Sequence, residues 1–397
     1  MGQEPRTVRR IQDADVCGKT VVVRADYNVP MDGETIQDDG RIRASLPTLS
    51  NLLDRGARVV VMTHLGRPDG AVVESLRLNP IARRLQELLG RPVRKLDECI
   101  GSAITEAIRA GKPGDVFLVE NLRFHAEEEE NDPAFSAALA ELGDLYVDDA
   151  FGTLHRAHAS TVGIAERRPA YAGLLVQKEI DTLSRVLYDP ARPYVAIVGG
   201  KKASDKLGAL RDLVSRVDCI LVGGGVAFTF LAASGASVGD SVVDPSLFED
   251  IRGIVRKAGE RGTEIVLPKD VVAARSLSSG AETRVCLADA IPAGWKGFDI
   301  GPETVRMFGE RIARAGTVVW AGPMGAFEFA PFAAGTRGVA EAVAASSSFS
   351  VIGGGETGEA VAKLGFEDRV SFVSTGGGAC LAYLRGKSLP ALDVLTA

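Results

Sequence analysis

The chain has no C-x-x-C pair; its five cysteines (Cys17, Cys99, Cys219, Cys286, Cys380) are scattered. That excludes a zinc ribbon or a disulfide framework and suits reduced thiols in a cytoplasm. Basic charge is not in excess either. The net charge of -6 argues against a nucleic-acid binder that relies on overall charge. Residues 1–6 lack an apolar signal core, and Arg6 breaks the myristoylation pattern. No Gly/Ser-rich linker or low-complexity segment is present. Residues 219–239 carry no charge, a length that could cross a bilayer. Gly223-Gly224-Gly225 divides that stretch into a strand (220–222) and a helix (226–233), so no membrane span is expected.

What is present is ordinary for a soluble protein: 397 residues, 46% apolar and 25% charged. The length exceeds one core, so two domains are expected. Short β-branched runs at 21–24, 59–62, 116–119 and 145–147 alternate with helical patterns such as 81–89 and 134–142. The expected fold is therefore α/β, two Rossmann-like domains with mainly parallel sheets. Val176, Ile180, Leu183 and Leu187 share a helical face that Pro190 and Pro193 end, which predicts a helix joining the domains. The expected boundaries are 1–173, a connecting helix at 174–190, 191–378 and a tail at 379–397.

Ligands of parallel sheets bind beyond the strands' C-terminal ends. There the first half places Asp26 and Asn28, then His64 and Arg67, then Arg123, then Asp149, His155 and Arg156, with Arg41 after a glycine-containing turn. A lone arginine after a strand is usually solvated, Asp149 suits a helix cap, and His158 could simply satisfy a carbonyl. So many arginines on loops at one edge instead suit a small, multiply charged anion. The acidic run 127–130 is expected to be a solvated surface.

In the second half, strands are expected at 195–198, 220–222, 265–267, 284–287, 318–320, 350–352 and 371–373. Gly199-Gly200 and three lysines, Lys201, Lys202 and Lys206, follow the first, with Ser204 or Asp205 as helix cap. Glycine triplets at 223–225, 353–355 and 376–378 end three others, which lets backbone N–H groups approach phosphate. A P-loop is absent: Gly18-Lys19-Thr20 is preceded by Asp13, and Gly386-Lys387-Ser388 by Leu381, where glycine is required. Gly353-x-Gly355-x-x-Gly358 fits a dinucleotide fingerprint but lacks the acidic ribose partner, so an NAD-dependent dehydrogenase is a remote reading.

The chain resembles the phosphoglycerate kinase family over nearly its whole length. The resemblance rests on Val23-Arg-Ala-Asp-Tyr-Asn-Val-Pro30, Gly40-Arg-Ile-Arg43, Thr63-His-Leu-Gly-Arg-Pro68 and Glu120-Asn-Leu-Arg-Phe-His125. It continues through residues 149–158, 199–207, 223–230, 299–302, 320–328 and 373–378. It implies a C-terminal tail returning to the first domain and a reversible phosphoryl transfer between MgATP and 3-phosphoglycerate, giving 1,3-bisphosphoglycerate and MgADP. It implies Mg²⁺ and ATP or ADP as ligands, a cytoplasmic monomer, hinge closure, and no nucleic-acid or membrane partner. By the same resemblance Asp26, Asn28, Arg41, His64, Arg67, Arg123 and Arg156 hold the phosphoglycerate. Lys202, Lys206, Gly223, Gly224, Gly297, Glu328, Gly354, Gly355, Glu356 and Thr357 form the nucleotide site, with Glu356 toward the metal. Arg41 and Lys202 are the expected catalytic pair.

Three positions depart from the family pattern: Glu356 stands for Asp, Ala321 for Asn, and Lys201 for a small residue. They raise two alternatives, a paralogue acting on a phosphonate isostere of 3-phosphoglycerate and a non-catalytic anion-binding protein. They also suggest compensation, with the Lys201 cation replacing the amide that Ala321 lacks.

Overall fold

The computed structural model describes residues 7–396, so the readings at residues 1–6 lie outside the described residues. The chain forms two compact units. One runs up to Thr182 and takes in the C-terminal residues from Ser388; the other is Leu183–Lys387. Residues 379–387 of the expected tail therefore belong to the second unit.

The first unit is built on six parallel strands: β1 (Thr20–Arg24), β2 (Arg58–Met62), β3 (Val93–Lys95), β4 (Val116–Leu118), β5 (Leu145–Asp148) and β6 (Ala170–Ala172). Their order is β3-β4-β2-β1-β5-β6, with Val21 opposite Val59 on one side and Leu145 on the other. Strands covered on both faces become continuous β-branched runs, and Val21, Val22, Val23, Val59, Val60 and Val61 are all fully buried. Each such side chain contributes roughly 1.5–3 kcal/mol relative to exposure. Helices α1 (Gly40–Asp54), α2 (Asn79–Leu89), α3 (Ala126–Glu129), α4 (Pro133–Ala140) and α5 (Leu174–Tyr188) lie between or after these strands. α4 starts where Asp132 accepts from the Phe135 N–H at 2.8 Å and Pro133 supplies the first turn. In this order the chain leaves β1 toward β2 and later returns to β5. The β1/β5 junction is thus the switch point, where an open sheet leaves a crevice.

The second unit has its own parallel sheet: β7 (Tyr194–Val198), β8 (Cys219–Val222), β9 (Glu264–Val266), β13 (Thr317–Ala321), β14 (Phe349–Ile352) and β15 (Phe372–Val373), in the order β9-β8-β7-β13-β14-β15. Its switch point lies between β7 and β13. Between β9 and β13 the chain makes a separate antiparallel sheet of β10 (Asp270–Ala274), β11 (Thr283–Leu287) and β12 (Lys296–Ile300). The strand expected at 284–287 is present as β11, in the antiparallel sheet, with Val285 and Leu287 exposed. The uncharged stretch resolves into β8 and the helix Gly224–Ala233. Among the described residues no helix is long and apolar enough to cross a membrane.

Candidate active site

At the switch point of the first sheet, arginines gather around one histidine. Arg24, the last residue of β1, is 1% exposed and donates through Nε to Ser160 Oγ at 2.9 Å. Its Nη2 lies 3.1 Å from His64 Nδ1. A guanidinium has only donors, so His64 Nδ1 must accept and the ring proton sits on Nε2. Asp26 Oδ1, at 4.0 Å from the same Nδ1, is too far to compete. Burial, then the charges of Arg24, Arg123, Arg41 and Arg156, push the His64 pKa well below its ordinary value. His64 is thus a neutral donor in a field of cations.

Arg41 stands in the first turn of α1, not on a loop as expected. Its Nη1 donates to Asp26 Oδ2 at 2.8 Å and to the Asn28 carbonyl at 3.2 Å. Asn28 Oδ1 accepts from the Gly66 N–H at 2.9 Å, and Arg123 Nη1 donates to the Gly66 carbonyl at 2.9 Å. Arg123 Nη2 and Arg156 Nη1 both face Glu129 Oε1, at 3.2 and 3.7 Å. Asp26, Asn28, Arg41, His64, Arg123 and Arg156 are thereby brought together. Arg67, on the same loop as His64, is exposed and holds no ion pair or hydrogen bond among the described residues.

Beneath this surface lies a layer that the sequence did not reveal. Glu128 is 1% exposed and accepts from the Ser160 N–H at 2.9 Å and the Ser160 hydroxyl at 2.5 Å. Burial raises its pKa, but His158, Arg24 and Ser160 outweigh that and hold it below the usual range. The expectation that 127–130 is a solvated surface is wrong at Glu128: the carboxylate balances the buried Arg24. His158, whose Nδ1 is 3.7 Å from Glu128 Oε1, belongs to this layer rather than meeting only a carbonyl. Asp149 does act as a cap, accepting from the Leu175 N–H of α5 at 2.9 Å.

The second sheet arms its edge differently. Four helices start there without a side-chain cap: α6 (Ala203–Leu213) after Lys202, α7 (Gly224–Ala233) after Gly223, α8 (Glu356–Lys363) after Gly355, and α9 (Gly378–Leu384) after Gly377. Ser204 and Asp205 fall inside α6, so neither caps it; Lys202 holds that position. Uncapped first turns present the positive end of the helix dipole, although in α7 the Gly224 and Val226 N–H groups already donate to the Met324 and Gly200 carbonyls. Close approach explains the glycines. A Cβ on Gly225 would sit 2.2 Å from the Lys201 carbonyl oxygen, and one on Gly354 2.2 Å from that of Ser374.

Lys206 is half-buried, and burial pulls its pKa down against the opposing charges of Glu356 and Asp205. Thr357 is buried and accepts from the Gly322 N–H at 2.6 Å, which ties the start of α8 to the end of β13. Glu328 is exposed. Gly297 lies in β12 of the antiparallel sheet, where a Cβ would meet the Phe228 ring at 2.1 Å. Of the departures, Lys201 is exposed, Ala321 ends β13 buried opposite Val198, and Glu356 opens α8.

Fold and site together define a two-unit α/β protein that gathers cationic side chains at one parallel-sheet edge and glycine-led helix starts at the other. The family model for phosphoglycerate kinase matches residues 11–387. The chain therefore belongs to the phosphoglycerate kinase family. Among its relatives, the phosphoglycerate kinase of Frankia casuarinae is 53% identical over 98% of this chain and 100% of its own. That of Moorella thermoacetica is 49% identical over 97% and 98%. The solved phosphoglycerate kinase of Coxiella burnetii superposes with a TM-score of 0.86 at 40% identity, covering 98% of each chain. These likenesses do not favour the phosphonate-directed paralogue or the dehydrogenase.

Proposed function

We propose that the protein is a cytoplasmic, monomeric kinase that moves a phosphoryl group reversibly between MgATP and the carboxylate of 3-phosphoglycerate. The observation that carries this reading is the arginine cluster around neutral His64, found in a chain of this family. Asp26, Asn28, Arg41, His64, Arg67, Arg123 and Arg156 hold the phosphoglycerate. Arginine pairs match phosphate and carboxylate oxygens bidentately, and His64 adds an uncharged N–H. Lys202, Lys206, Gly223, Gly224, Gly297, Glu328, Gly354, Gly355, Glu356 and Thr357 hold the nucleotide.

In the kinase direction a substrate carboxylate oxygen forms a bond to the γ-phosphorus while the bond from that phosphorus to the β,γ-bridging oxygen breaks. ADP leaves as the anion. The nucleophile carries no proton, so no general base is needed, and what remains is alignment and charge neutralisation. Arg41 and Lys202 supply that neutralisation. Magnesium fits the donor set as an ion carried by the nucleotide. Among the described residues no three His, Cys, Asp or Glu side chains are grouped to cage a metal, while Glu356 offers one carboxylate at the start of α8. One or two carboxylates plus phosphates and water are the usual Mg²⁺ surroundings. When bound, the ion offsets phosphate charge.

The test is steady-state turnover with ATP and 3-phosphoglycerate beside its phosphonate isostere. We expect 3-phosphoglycerate to have the higher kcat/KM by orders of magnitude. No turnover, or preference for the isostere, would sink the proposal.

A further inference from the structure

The arginines of the first unit are not equally available. Arg24 is committed to His64 and Ser160, and Arg41 to Asp26. Arg67 has no partner among the described residues. Arg123 and Arg156 share a single carboxylate oxygen, Glu129 Oε1. Glu128 and Glu129 sit side by side on α3 with opposite fates: the Glu128 side chain is 1% exposed, that of Glu129 44%. The first is an anchor. The second is a carboxylate open to water, resting on two guanidinium groups.

A carboxylate and a phosphate engage guanidinium through the same oxygen geometry. Two cations held close without an anion repel each other, and a partner carboxylate relieves that repulsion. The pKa of Arg123 is lowered by burial and also by Arg156 and Arg24, while Glu129 opposes them. A dianionic phosphate offers more charge to the same pair than a carboxylate does.

We propose that Glu129 is a built-in counter-anion: it occupies the Arg123–Arg156 pair in the free protein, gives way to the substrate's phosphate, and so sets the affinity of the site for anions. The proposal rests on the reading of these arginines as part of the phosphoglycerate site. Weak monoanions do not displace Glu129, whereas multiply charged ones do. The site thereby trades affinity for selectivity by charge.

Glu129→Gln tests this, since a half-exposed residue can lose its charge without disturbing the core. Binding of inorganic phosphate and of 3-phosphoglycerate is measured by calorimetry on wild type, Glu129→Gln and Arg156→Gln, with KM measured in parallel. We expect Glu129→Gln to lower both dissociation constants by roughly 1.5-fold to fivefold, the range set by competition from one partly exposed ion pair. The kinetic change should fall on KM more than on kcat. Unchanged or weaker anion binding in Glu129→Gln would overturn the proposal, because Glu129 would then merely hold the arginines in place. Arg156→Gln should weaken binding of both anions. If it leaves 3-phosphoglycerate binding unaltered, the site reading itself fails and the proposal falls with it.

Discussion

The two parallel sheets equip the same edge with different materials. The first uses long cationic side chains, and each that is withdrawn from water meets a carboxylate: Asp26 for the half-buried Arg41, the half-exposed Glu129 for the buried Arg123, and the buried Glu128 near Arg24. The second uses backbone, with glycines that admit close approach and helix starts left uncapped. A side-chain site is tuned one charge at a time. A backbone site is fixed by shape and tolerates surface charge changes, but not an added methyl group. Substrate binding and nucleotide binding should therefore fail in different ways.

The largest effect is expected at the side-chain site. Arg41→Ala removes the cation that we propose meets the transferring group, and it leaves Asp26 without its arginine partner. By analogy with arginines that stabilise phosphoryl transfer, kcat should fall by on the order of 10³. Arg67→Ala, which breaks no hydrogen bond or ion pair among the described residues, should act mainly on KM. Steady-state kinetics separate the two, and an Arg41→Ala enzyme within a few-fold of wild-type kcat would remove Arg41 from catalysis.

The backbone site should break with one methyl. In Gly225→Ala the new Cβ meets the Lys201 carbonyl oxygen at 2.2 Å, so the turn carrying Lys201 and Lys202 must move. Overpacking of this kind costs roughly 1–3 kcal/mol. Titration calorimetry should show ADP binding weakened about tenfold or more, the nucleotide counterpart of that cost. Binding of 3-phosphoglycerate should stay at wild-type strength. Equal loss of both ligands would show that the two sites are not built independently.

Much of this contrast is legible in the sequence, for a definite reason. Asp26, His64, Arg123 and Arg156 each follow an apolar run, and a parallel sheet sends such residues to one edge. The glycine triplets announce the second edge in the same way. Arg24 escapes because it is the last letter of the β1 run and is counted with the strand. Glu128 escapes because it stands among four consecutive glutamates, a composition that describes a wet surface. Its partner Ser160 lies 32 residues away and comes near only in the folded chain. The antiparallel sheet is obscured where Asp270, Lys296 and Gly297 interrupt the apolar pattern of β10 and β12. Gly297 in particular is explained in the structure by packing against Phe228, a contact no spacing rule would supply.

The most gradual effect, spread over several pH units, is one that both units show. Burial raises the pKa of Asp149 to about 7, against hydrogen bonds from Thr48 and the Leu175 and Val176 amides that pull it down. Burial likewise raises that of Asp299 to about 7, against the Gly335 and Ile300 amides. A carboxyl group raised in the folded state keeps a proton that the unfolded chain has released. Stability from each group is thus complete below the ordinary value of 3.8 and is lost as pH rises toward about 7. Within that window the slope per group is at most about 1.4 kcal/mol per pH unit. Both tryptophans, Trp295 and Trp320, lie in the second unit. Denaturation followed by tryptophan fluorescence between pH 5 and pH 8 therefore reports the unit that holds Asp299. Asp299→Asn should flatten the fluorescence-detected loss of stability with rising pH, and Asp149→Asn should leave it sloping. If Asp149→Asn flattens it equally, the two units unfold as one cooperative body, and the separateness drawn from their sites does not extend to their stability.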